Sequence, residues 1–177
     1  MKYILILCIF LYGKVIFAQS ILYNSTDATS GTKKDEIFDV HPENFTNKLV
    51  IIKKNHTKEK FDYEKSNIWG YENNDHQIFR LYNGLFYLVK NIDGPIFIYF
   101  TQSDKYPRSE KDYFFSFTLD STLIPFSKNS IIKVFNADTC FIRKINLIKP
   151  RRNIYKMGET EIGNPEIINT LYKECHP

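Results

Sequence analysis

The 177-residue chain lacks the motifs by which a sequence usually declares a chemistry. There is no glycine-rich phosphate loop, no serine in a nucleophile-elbow setting and no pair of carboxylates at hydrolase-like positions, so motif alone indicates no catalytic class and no cofactor. A concentrated basic segment is also missing: 24 lysines and arginines are scattered among 20 acidic residues. Phosphate tracking needs a concentrated cationic surface, so nucleic acid is not an expected partner. Beyond residue 18 no run is apolar and long enough to cross a bilayer. Tryptophan occurs once, as Trp69, and cysteine three times, as Cys8, Cys140 and Cys175.

What is present begins at the amino end, where Met1-Lys2 precedes the apolar run YILILCIFLY and Val15-Ile16-Phe17-Ala18 leads into Gln19-Ser20. A positive residue, a short apolar core and a small residue before a polar start form the layout of a secretory signal peptide. Cleavage is expected after Ala18, which makes the protein an exported one, destined for periplasm, cell envelope or medium. Removing eighteen residues from 177 leaves 159, the length of one domain, and removing Lys2 and Lys14 takes the net charge from +4 to +2. Cys8 leaves with the leader. Cys140 and Cys175 then remain as an even pair in a compartment where disulfides persist. They form either a bridge closing a loop of about 36 residues, worth roughly 3 to 4 kcal/mol, or two buried free thiols in a helical segment. Cys175-His176 lies at the chain's end and is read as a frayed dipeptide without a catalytic role.

Residues 19–47 are crowded with Ser, Thr, Asn, Asp and Lys and read as a loosely ordered lead-in. A single domain over 48–177 is expected to follow. From 48 to about 119 the runs LVIIKK, NIWGY, QIFRLY, LFYLVK, IFIYFT and YFFSFTL are separated by short breaks, and their alternation is that of strands. ENND, YNG and IDGP are too short for parallel crossovers, so the strands form an antiparallel meander of five to six members. WGY and IFRLY are the arms of a hairpin with Glu72 to His76 as its turn, and Gly70 marks a bulge or a close approach. After Pro125 the period changes. Ser127 and Asp138 are candidate caps of two short helices, and Asn164-Pro165-Glu166 opens a last helix with the stripe Ile167, Ile168, Leu171, Tyr172 and Cys175. The fold class is α+β: the meander, then two or three short α-helices over about 127–175.

IWGY, IFRLYNG, FYLVKNIDGPIFIYF and YFFSFTLDSTLIPFSKNSIIKVF together resemble a group of small, uncharacterised secreted proteins of the Bacteroidota. The resemblance covers about residues 66 to 135 and implies export but no activity. Asp120-Ser121-Thr122 is similar to the pattern those bacteria use for O-glycosylation of exported proteins, although three residues match often by chance.

Candidate chemistry is thin. Asp39-Val40-His41-Pro42-Glu43 places three potential ligands within five residues, yet its spacing suits a surface turn and no metal site is expected. Fifteen phenylalanines and twelve tyrosines are the outstanding feature. If several share an open sheet face they form a platform for a glycan or a protein partner; otherwise helices cover them and only hydroxyls reach solvent. The favoured function is therefore binding, without catalysis, through Trp69, Tyr71, Arg80 and Tyr82. Within that hairpin Trp69 is expected as a core anchor and Arg80 on the polar face or paired with Glu72 or Asp75. The alternatives are an enzyme or enzyme accessory whose Asp75, His76 and Arg80 converge in space, and a structural component of the envelope.

Overall fold

The computed structural model describes residues 20–30, 37–43, 46–101, 112–148 and 164–177. The expected leader and cleavage point and the segment around Pro150-Arg151-Arg152 lie outside the described residues. Among the described residues ten strands and four helices follow one another as β1 (Ser20–Leu22), α1 (Ser25–Ser30), β2 (Ile37–Pro42), β3 (Lys48–Lys53), β4 (Lys58–Asp62), β5 (Gly70–Glu72), β6 (Ile78–Tyr82), β7 (Leu85–Asn91), β8 (Phe97–Thr101), β9 (Asp112–Ser116), β10 (Ile124–Pro125), α2 (Lys128–Val134), α3 (Thr139–Leu147) and α4 (Ile167–Cys175). The class is α+β, with three of the helices after the strands.

The meander is present, within a larger arrangement than alternation indicated. One sheet has seven strands in the order β1-β5-β6-β7-β8-β9-β10, and a second has three, β2-β3-β4, with antiparallel neighbours in both. LVIIKK therefore does not join the meander: it is the centre of its own sheet, bonded to β2 on one side and β4 on the other. The described part of the stretch 19–47, expected as a lead-in, forms β1, α1 and β2. Its order comes from pairing with β5 and β3, a non-local source that its polar composition conceals.

Local chemistry explains the turns. Asn83 and Gly84 take positive φ, 49° and 76°, between Tyr82 and its partner Leu85, the conformation a two-residue hairpin requires. In the β5–β6 turn Asn73 Oδ1 accepts the Asp75 and Gln77 N–H groups at 3.0 and 2.9 Å. Gly70 is the close approach: a Cβ there would lie 2.0 Å from the Phe79 carbonyl oxygen.

Helix starts follow their caps. Ser127 Oγ accepts the Ser130 N–H at 3.0 Å and Asp138 Oδ1 accepts that of Phe141 at 3.0 Å. Asn164 Oδ1 instead takes the Glu166 N–H at 3.1 Å and closes a turn ahead of α4, so the helix begins at Ile167, after the expected Pro165. Ile167 is correspondingly 38% exposed, while Ile168 is fully buried.

Strand register divides the large sheet into two faces. One carries Tyr71, Phe79, Leu81 and Phe86 at the β5–β7 end and Ile98 and Phe115 at the β8–β9 end. The first group packs with Leu49 and Ile51 of the small sheet, the second with Ile131, Phe141, Ile145 and Ile168 of the three later helices. A buried amide fixes α4: Asn169 donates to the Ile96 carbonyl at 2.8 Å and accepts from its N–H at 3.0 Å. Cys140 and Cys175 are bonded, with Cα atoms 5.9 Å apart, joining α3 to α4. Among the described residues no helix is long and apolar enough to cross a membrane.

Candidate functional site

Alternation along IFRLY places Ile78, Arg80 and Tyr82 on the second face of the large sheet, with Tyr87 opposite Arg80 on β7 and Tyr99 on β8. Gly70, the partner of Arg80 on β5, offers no side chain there. Arg80 is only 3% exposed, and its guanidinium extends across the β7–β8 side of the sheet, toward Tyr99 and Ser121. This overturns both expectations for Arg80, since it is neither on a polar surface nor paired with Glu72 or Asp75. Its Nη1 donates to the Tyr99 hydroxyl at 3.3 Å and its Nη2 to the Ser121 carbonyl at 2.8 Å. The guanidinium carbon is 5.2 Å from the Tyr82 ring centroid and 5.4 Å from that of Tyr99. Among the described residues no carboxylate pairs with this cation. Neutral acceptors and two ring faces hold it, and in a desolvated setting each ring contributes up to about 2 kcal/mol.

The network continues in one direction. Ser116 Oγ lies 3.0 Å from Tyr99 Oη and 2.7 Å from the Thr118 carbonyl. A serine hydroxyl has one hydrogen, and a carbonyl can only accept, so Ser116 donates to Thr118 and Tyr99 donates to Ser116. Arg80 thus reaches both ends of the tight turn from Thr118 to Ser121, directly at Ser121 and through two hydroxyls at Thr118.

Trp69 reaches the same turn. Its Nε1–H donates to Asp120 Oδ1 at 3.0 Å, and Asp120 Oδ2 accepts from Ser25 Oγ of α1 at 2.5 Å. Its backbone joins the sheet through the Leu22 carbonyl and the Leu81 N–H, each at 2.8 Å. The ring is half-buried against the small cluster of Leu22, Ala28 and Leu119, so Trp69 is a clasp at the margin and not the expected anchor of the main core. Residues 117–123 form a loop laid over this face. Leu119 and Leu123 plug it into the sheet, 6% and 7% exposed, and Trp69 and Arg80 fasten its tip at adjacent residues.

The aromatic residues are divided by this arrangement. Tyr71 is on the opposite face, buried, stacked on Phe79 at 4.8 Å, and its phenol is raised far above its ordinary range, by burial first and the Asp39 charge second. Tyr63 is buried on that side too, while Tyr87 and Tyr99 lie under the loop. Among the described residues these aromatic rings do not share one open sheet face. Among the described residues, Tyr23, Phe38 and Phe117 are exposed singly, and beside the loop lies an accessible strip: Tyr82 and Phe114 half-buried, interlocked through Tyr87 at 6.3 and 5.2 Å, and Leu85, 57% exposed next to Tyr82. Of the four residues singled out in the sequence, Arg80 and Tyr82 touch, Trp69 meets them through the loop, and Tyr71 is separate. Tyr99, Ser116 and Asp120 were missed; their partners are far away in sequence, and no local pattern marks them.

Asp75 and His76 stay exposed in the β5–β6 turn, where His76 Nδ1 is 2.6 Å from Glu72 Oε1 and Glu72 Oε2 accepts from Ser20 at 3.3 Å. They do not converge with Arg80. His41 pairs with Asp39 at 2.9 Å, and among the described residues no three His, Cys, Asp or Glu side chains are placed to hold a metal ion. The Ser121 hydroxyl, within the glycosylation-like triplet, is engaged in its own turn, donating to the Thr118 carbonyl at 3.0 Å and accepting the Thr118 N–H at 3.1 Å. No protein-family model matches this chain, and neither the curated proteins nor the solved structures searched contain a match to it.

Proposed function

We propose that the protein is exported and acts by binding a glycan or protein partner, without catalysis, through the uncovered strip formed by Tyr82, Leu85 and Phe114. The leader-like amino end and the membership suggested by the Bacteroidota-like strands support export. One observation carries the binding reading: among the described residues, this strip combines interlocked half-exposed aromatic rings with an exposed leucine at the margin of the loop-covered face. Rings already fixed by their neighbours lose little freedom when a ligand docks, and aromatic anchors of this kind dominate binding surfaces. The enzyme alternative has less support, because Asp75, His76 and Arg80 are held apart.

The test is a screen of neutral and acidic oligosaccharides and of envelope proteins by surface plasmon resonance, repeated with Leu85→Asp and Tyr82→Ala. Loss of a detected interaction in both variants, with the melting temperature of Leu85→Asp unchanged, is the expected result. A ligand that binds all three proteins equally would place the binding surface elsewhere.

A further inference from the structure

A second group of reactive side chains lies away from the aromatic strip, where the first turn of α3 meets the last turn of α4. A groove of about 490 Å³ opens there, lined by Phe135, Asp138, Thr139, Cys140, Tyr172 and His176 among others. The Cys140–Cys175 bond forms part of its wall: Cys140 lines the groove, and both cysteines are only half-buried. His176, expected to be frayed, is held in place. Its ring stacks on Tyr172 with centroids 4.2 Å apart, its Nδ1–H donates to the Tyr172 carbonyl at 3.0 Å, and its Nε2 is 3.4 Å from Asp138 Oδ2. A disulfide, an oriented imidazole and aromatic walls thus share one open groove.

We propose that this disulfide exchanges with the thiols of a cysteine-bearing peptide seated in the groove. The peptide's thiolate attacks Cys140 Sγ; a new S–S bond forms as the Cys140–Cys175 bond breaks, and the electron pair leaves on Cys175, which takes a proton from water. A second thiolate of the same peptide attacks the peptide sulfur of the mixed disulfide, and Cys140 departs as the thiolate and is protonated. The peptide loses two electrons and two protons and becomes a disulfide; the cysteine pair gains both, so one turnover needs no other oxidant.

Position favours the second step, in which Cys140 is the leaving thiolate. Cys140 is the second residue of α3, where first-turn N–H groups and the positive end of the helix stabilise a thiolate. A leaving thiol so stabilised departs faster, and a stabilised reduced form makes the pair a stronger oxidant. The Asp138 carboxylate at the cap opposes this, and its Oδ2 is engaged by His176 Nε2 at 3.4 Å. Lys144 and Glu174, one on each helix, neutralise each other across the same pair of elements.

The experiment uses the full oxidised chain in native buffer. Reduced glutathione is added as a single-thiol probe, the mixture is quenched in acid, and adducts are mapped by mass spectrometry. A glutathione adduct on Cys140 while circular dichroism remains native is the expected result, as is stoichiometric conversion of a Cys-Gly-Gly-Cys peptide to its disulfide. Adducts that appear only in urea, or only on Cys175, would overturn the proposal and leave the bridge as a staple between helices; the oligosaccharide and partner screen is unaffected by either outcome.

Discussion

On one face of the seven-stranded sheet Phe115 is wholly buried with Phe141, Ile131 and Ile168 from three helices; on the other, Tyr99 is equally buried, and Arg80 nearly so, beneath a loop of seven residues. The same degree of exclusion from water is reached by different means. Beneath the helices the contacts are apolar and interlocking, so any opening exposes a continuous core. Beneath the loop the closure depends on two leucines and a few directed hydrogen bonds from Trp69, Arg80 and Ser116. Low exposure therefore does not measure resistance to local opening, and the loop-covered face is the one expected to open first.

The contrast can be broken most forcefully on the helical side. Phe141→Ala should lower global stability by about 3 to 5 kcal/mol, read as a shifted urea midpoint in which far-UV circular dichroism and Trp69 fluorescence move together. Replacing Cys140 and Cys175 together by serine removes the tie between α3 and α4 and should cost about 3 to 4 kcal/mol on the chain-entropy account. On the loop side the effects are smaller and local. Arg80→Met removes the donors to Tyr99 and Ser121 while keeping an apolar stem; a loss of about 2 kcal/mol is expected in urea unfolding, with residues 117–123 becoming the first site of limited proteolysis.

Tyr71 sharpens the comparison from the second-sheet side. Its phenol is raised by burial, so the folded protein keeps the neutral form where the unfolded chain ionises at about pH 10. The resulting stability is fully present below that pH and falls above it, by about 1.4 kcal/mol per pH unit for one group. Tyr71→Phe should therefore lose less stability than the parent between about pH 9 and 11 in denaturant titrations. The smallest effect belongs to Trp69→Phe, which deletes the bond to Asp120 but keeps most of the ring; about 1 kcal/mol is expected, with increased proteolysis confined to the loop.

Much of the fold was legible because its determinants are local. Asn83-Gly84 dictates a tight hairpin, Ser127 and Asp138 are caps whatever surrounds them, and alternation in IFRLY correctly assigned Arg80 and Tyr82 to one face. What alternation does not encode is the covering of that face. Arg80 is buried because residues 41 positions away return over it, and Trp69 finds its acceptor 51 positions away. β1 and β2 were hidden for the same reason: short and rich in polar neighbours, they are strands only because β5 and β3 pair with them. The aromatic count pointed to a platform, yet Tyr71, Tyr87, Tyr99 and Phe115 are core on the two faces of the sheet.

Native-state hydrogen exchange of the amides of Thr118 and Ser121, compared with that of Ile145 in α3, tests the difference between the faces most directly. Held by a locally clasped loop, the first two should exchange through local opening at least about a hundredfold faster than Ile145, whose protection should track global unfolding. Equal protection at all three positions would mean that the loop opens only when the whole protein unfolds, and would contradict the account.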